Sequence, residues 1–345
     1  MSNPQNNSEF QQELGDSVPR QDLTALEFWL IDGDATPWKS VAVNCLAILA
    51  LPLVLGLSFG MIAGIGAFMG AFPGTMGARR TGVLYTAPFV LLAIIAGYFT
   101  LHHEAWAPAI GAALAMVAGL AGRRGVSMPA IIAMVTWTIY TGSILPVEKD
   151  LVIAAAQVGG LAWSLAIIKL FGGGGDHTDS KPSRAYALIF GALFAVGIAF
   201  STWVGQNLLG GHGFWFPLCL AILSLPPHTR YFTRAAKRVI GTALGCGLAY
   251  IVGSLALPPM LVAAIAVTAF VFTQRYIPKT QIFGSASITL AIILIVSEHS
   301  PLKQLAVARL VDFAAGAGLA ALLAACGVAL LYVSDKEALR ALQQR

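Results

Sequence analysis

Asp312 is the one carboxylate inside a long apolar run, KQLAVARLVDFAAGAGLAALLAA, and Arg309 stands three residues before it, on the same face of a helix. A charge at membrane depth costs about 2.5–3.5 kcal/mol, so such residues face protein or water and commonly work. Arg309 could bind an anionic group while Asp312 exchanges a proton or holds the arginine in place. The alternative is a neutralised pair near the end of a helix, fixing its depth by snorkelling. A second cationic group lies in LPPHTRYFTRAAKRV, where Arg230, Arg234 and Arg238 recur every four residues with Lys237 beside them. That face would meet lipid phosphates or line the inner mouth of a path for anions. Just upstream, FWFP offers Trp215 either for stacking on an aromatic solute or as part of an interfacial belt of indoles.

Other chemistry is thinly supplied. His102-His103-Glu104 is a loop segment in which adjacent histidines point different ways and no third ligand is placed, so no metal site is expected. Cys45, Cys219, Cys246 and Cys326 fall inside apolar runs without CxxC spacing, as buried small hydrophobes do. HExxH, GxSxG and Walker-type motifs are absent. The sequence therefore predicts neither an enzyme nor a bound cofactor, and any transport must draw on an ion gradient, a partner or passive flow.

The elements that must position these residues are membrane helices. Hydrophobic residues make up 57% of the 345 positions and charged ones 11%, with a mean hydropathy of +0.76. That is far from the makeup of a soluble domain. The apolar runs are continuous rather than alternating, which excludes a β-barrel, and they match the ~20 residues that cross ~30 Å of hydrocarbon. A pI near 9.1 would suggest nucleic acid, but the basic residues sit at the ends of these runs, where they act as a topology signal.

The runs predict an all-α polytopic membrane protein of about twelve spans, at 40–57, 59–76, 82–100, 106–122, 127–145, 150–171, 185–208, 213–227, 238–256, 258–275, 280–297 and 304–333. With that count, 18 of the 21 Lys and Arg fall on one side, leaving Lys149, Lys303 and Arg309 on the other. Both termini are then expected in the cytoplasm. The divisions are a polar tail at 1–37, a six-helix unit at 38–171, a Gly-rich linker at 172–184, a second six-helix unit at 185–333 and a tail at 334–345. The tail at 1–37 lacks the features of a signal peptide, and Leu23 to Ile31 could form a short interfacial helix.

The two units look alike and would be parallel repeats. Phe59 to Pro73 before Arg79-Arg80 matches Phe214 to Pro226 before Lys237-Arg238, and Pro108 precedes Arg124 by the sixteen residues that separate Pro259 from Arg275. In this alignment Gln157 and Gly160 stand where Arg309 and Asp312 would fall. Glycines at 56, 60, 64, 66, 70 and 74 stripe the second span, and Pro217 and Pro226-Pro227 interrupt the eighth. Such matched irregularities point either to close packing or to broken helices facing a central solute site.

FWFP, PPHTRYFTRAAKRVIGTALGCGLAYIVG, QRY and AVARLVDFAAGAGLA, with AGIGAFMGAFPGTMGARRTG in the first half, resemble the fusaric acid resistance protein-like (FUSC) membrane family. The resemblance implies a bacterial inner-membrane exporter of aromatic and related organic acids. It places Arg238, Arg275 and Arg309 at the family's basic positions. It also implies a periplasmic membrane-fusion (HlyD-like) partner and pairing of six-helix units, supplied within one chain or by a homo-oligomer. Plant malate channels are distantly similar, so a passive organic-anion channel is an alternative. A major facilitator transporter would carry an aspartate in the loop that here reads GTMGARRTG, and a non-transporting scaffold subunit is a further alternative. The sizeable cytoplasmic domains of many family members have no counterpart in this chain.

Overall fold

A computed structural model describes residues 30–143, 145–172, 182–226, 231–255, 257–296 and 302–336. Arg230, most of the linker and the interfacial helix expected near Leu23 lie outside these residues. The described residues form twelve helices and no strand: α1 (Trp38–Phe59), α2 (Met61–Thr81), α3 (Val83–His102), α4 (Ala107–Ala121), α5 (Ser127–Trp137, with a 3-10 turn Thr138–Thr141), α6 (Asp150–Phe171), α7 (Arg184–Leu208), α8 (Trp215–Leu223), α9 (Tyr231–Ser254), α10 (Pro259–Tyr276), α11 (Gln281–Val296) and α12 (Leu302–Ser334).

Among the described residues, nine helices are long and apolar enough to cross a membrane; α5, α8 and α11 are shorter. The number of helices is the one expected, and nine of the twelve meet the length of a full span. Eight of the nine residues of α8 are buried, as are nearly all of α5, so protein surrounds these short rods. Backbone that ends at membrane depth is tolerated in that setting and not against lipid. The outward faces of the long helices are apolar: Leu57, Leu84 and Val333 are each more than 80% exposed. Side chains this apolar on the outside of a folded chain mean that lipid is its solvent, and the protein is a multi-pass membrane protein.

Four helix pairings occur at matching places in both halves. In the first, α6 packs on α2 and α3, and α5 packs on α3 and α4; in the second, α12 packs on α8 and α9, and α11 packs on α9 and α10. The halves meet through α4 on α7, α1 on α10 and α5 on α8. At the α4–α7 crossing a Cβ on Gly119 would lie 2.3 Å from the Cα of Gly191, so only glycine permits the approach.

The glycine stripe of α2 resolves as packing. The helix is unbroken from Met61 to Thr81 despite Pro73, and Gly66, Gly70 and Gly74 abut α6, where a Cβ on Gly70 would lie 1.9 Å from the carbonyl oxygen of Gln157. Gly160 of α6 answers in kind, 2.0 Å from the carbonyl oxygen of Ala67. Gly60 has another role. It is the single residue between α1 and α2, with φ 90° and ψ 164°, a conformation nearly restricted to glycine. A Cβ there would touch nothing within 4 Å, so Gly60→Ala tests backbone strain alone. We expect it to cost about 1–3 kcal/mol, seen as a lower unfolding temperature in detergent.

Candidate anion site

One face of α12, formed by Leu305, Ala306, Arg309, Asp312, Phe313, Gly316 and Ala320, is buried at helical spacing. It packs on α8, and the approach is close at Gly316, where a Cβ would lie 2.8 Å from both Cβ and Sγ of Cys219. The Cys219 thiol donates to the carbonyl of Phe313 at 3.3 Å. This contact fixes the registry that sets Arg309 above the first residue of α8. The guanidinium carbon lies 3.9 Å from the centre of the Trp215 ring and 5.7 Å from that of Phe313.

Arg309 is 2% exposed, Asp312 4% and Trp215 2%. Snorkelling is thereby excluded, because a snorkelling arginine keeps its head in water. The neutralised pair is absent too: no ion pair or hydrogen bond joins Arg309 to Asp312. Arg309 Nε and Nη1 are buried without a hydrogen-bond partner, and so is the indole Nε1 of Trp215. Native structures rarely leave such donors bare, and a buried charged donor is costlier than a neutral one. The aromatic faces compensate part of this, since a desolvated cation–π contact is worth about 2 kcal/mol. They offer nothing to the in-plane N–H groups. Trp215 also opens α8, so the positive end of that helix dipole adds to the cationic character of the site. The arrangement can accept an anionic oxygen in the guanidinium plane, beside an aromatic surface and within one helical turn of a carboxylate.

The other candidates lie elsewhere. Arg238 of α9 donates to the carbonyl of Ile222 in the last turn of α8, which also accepts from the amide of Leu225 at 3.3 Å. Lys237 is 3% exposed and its Nζ lies 2.6 Å from Asp32 Oδ1. These two residues turn inward, which corrects the view of their face as a lipid-phosphate surface; Arg234 on the same helix is half-buried. Arg275, at the end of α10, donates from Nη1 to the carbonyl of Thr36 at 2.8 Å and stacks 4.3 Å from the Trp38 ring. Arg124 is exposed in the turn Gly122–Arg124 after α4, apart from the Arg309 site. His102 pairs with Asp150 at 2.9 Å while the ring of His103 lies 4.5 Å from that of Phe99, so the two histidines serve different partners.

Two polar features had little sequence signal. Gln157 is completely buried on α6 and accepts from the Tyr140 hydroxyl, leaving its Nε2 without a partner. Its only pointer was the alignment of the halves, which sets it opposite Arg309. Asp32 is the other. Its backbone N–H donates to the carbonyl of Lys279 at 2.7 Å, and its Oδ2 accepts from the amide of Gln281 at 3.0 Å, so the segment before α1 is docked on the α10–α11 turn. The far part of the polar tail aside, this stretch is no free tail.

Comparison with known families places the site in context. Residues 194–323 match the model for fusaric acid resistance protein-like domains. The matched segment runs from within α7 to within α12 and contains Trp215, Cys219, Arg238, Arg309 and Asp312. No curated protein and no solved structure matches the chain.

Proposed function

For a membrane protein of the fusaric acid resistance protein-like family, we propose export of small organic anions, aromatic carboxylates foremost, across a bacterial inner membrane. The observation that carries this reading is the Arg309 guanidinium, buried against Trp215 with two donors unclaimed. Nε–H and Nη1–H lie on different edges of the guanidinium, so a carboxylate oxygen can accept from either, and hydrogen bonds to an ionised donor are the strong ones. Asp312, one turn along α12, is the group that would exchange a proton as the anion comes and goes.

The architecture supports a duplicated six-helix unit, because four helix pairings recur at matching places in the two halves. It also supports a cytoplasmic location for both termini. Arg184 and Arg234 lie in the first turn of their helices, where the helix dipole disfavours cations. Their placement therefore answers to the side of the membrane and not to the helix. A periplasmic membrane-fusion (HlyD-like) partner comes from the family resemblance, and co-purification from crosslinked cells tests it.

The central test uses purified protein in liposomes with radiolabelled benzoate. Wild type should bind and move benzoate, and Arg309→Gln should bind it roughly tenfold to a hundredfold more weakly, as expected for hydrogen bonds to a charged group. Equal binding by the two proteins would overturn the assignment of Arg309. Collapsing the proton gradient should slow flux in the wild type; flux indifferent to the gradient would make the path a passive channel.

A further inference from the structure

The strap of residues 32–36 joins parts of the chain that are distant in sequence. It leads directly into α1 of the first half, whereas its partners belong to the second: Lys237 of α9, Arg275 of α10, Lys279 in the α10–α11 turn and Gln281 at the head of α11. Gly33 fits under the turn, where a Cβ would lie 3.2 Å from the carbonyl oxygen of Pro278. Beyond Trp38 the same seam continues into the bundle, where Asn44 donates to Gln274 at 3.3 Å.

We propose that this strap is an autoinhibitory latch: the Asp32 carboxylate ties the two halves together at the end of the bundle that carries Arg79, Arg124 and Lys237, and an incoming carboxylate releases it by taking its place on Lys237. The ion pair is lopsided, with the lysine side chain 4% exposed and that of Asp32 23%. The lysine is the buried member of the pair, and the carboxylate is the partner that can leave. Both Asp32 oxygens are held by donors that any carboxylate could use, the Lys237 ammonium and the Gln281 amide. Every strap residue from 32 to 36 is exposed or half-exposed, so no buried apolar contact holds it down. The strap is held instead by a few part-buried polar contacts, and segments with few buried apolar contacts open at the low end of a protein's range of stabilities. The inference rests on the proposed passage of anions and adds the control of access to it.

The readout is thiol accessibility, which needs no transport. In inside-out vesicles bearing a variant whose only thiol is Cys246, a residue 4% exposed within the bundle, an impermeant maleimide should react slowly. Asp32→Asn should speed the reaction by roughly tenfold, the scale of losing one charge-assisted hydrogen bond from a closed state. Benzoate should accelerate labelling of the parent protein and leave Asp32→Asn unchanged. A second variant keeps Asp32: with Gly33→Cys and Pro278→Cys oxidised to a bridge, benzoate should no longer accelerate labelling at Cys246, and reduction should restore the response. Unchanged labelling in Asp32→Asn, or a benzoate response indifferent to the bridge, would overturn the latch. Loss of benzoate binding in Arg309→Gln bears on the transport reading alone, so the two proposals fail separately.

Discussion

Replacing Arg309 by methionine and Asp312 by leucine together is expected to give a protein as stable as the parent, or more stable by up to about 4 kcal/mol, that no longer binds benzoate. The cause is the desolvation of two charges that are 2% and 4% exposed and share no ion pair. Buried charges cost more than a well-packed hydrophobic pair of similar volume unless hydrogen bonds repay the loss. Here Nε and Nη1 of the arginine have none. The single change Asp312→Leu should behave oppositely and lower stability, because it removes the nearest compensating charge and leaves the guanidinium alone. Thermal unfolding in detergent followed by tryptophan fluorescence, with benzoate titration by calorimetry, checks both. A double variant clearly less stable than the parent would mean that the pair is structural, and the anion site would lose its main support.

Gly70→Ala should have the largest effect on folding. Its Cβ would sit 1.9 Å from the carbonyl oxygen of Gln157 and 2.8 Å from the amide nitrogen of Leu161. Both are backbone atoms of a helix, so no rotamer change relieves the clash and α2 must back away from α6. Transmembrane helices have only packing and hydrogen bonds to hold them together, and that contact falls along its whole length. We expect more than about 4 kcal/mol, the range reserved for a named structural defect, and little or no monodisperse protein after extraction. Gly159→Ala is the control. It lies on the same α6 with nothing within 4 Å of the added methyl, and should be neutral or gain up to about 1 kcal/mol from helix propensity. Equal yields of the two variants would refute the packing account.

What the sequence conveyed depended on the range of the signal. Long apolar runs marked the helices within a few residues, and the three-residue spacing of Arg309 and Asp312 put them on one face, where the structure has them. Pro217 and Pro226-Pro227 flagged the eighth helix as irregular, and its helical part proves to be nine residues. The shortness of α5 was hidden, because hydropathy cannot tell a rod buried in protein from one facing lipid. The inward turn of Lys237 was equally hidden. Its partner Asp32 is 205 residues away, and a four-residue spacing of cations describes a face without saying what covers it. The α2 glycines had two readings, and only the position of α6 chose between them.

The anchorage of α8 at both ends has a mechanical corollary. Its last turn hangs from Arg238 and its first residue lies beneath Arg309, so a stiff peg about 13 Å long spans from the neighbour of the latch lysine to the indole. A small tilt of α9 would then be felt as a piston stroke under the guanidinium. Events at one mouth of the bundle would thus register about 13 Å away, at the Arg309 site, without any atom having to make the journey.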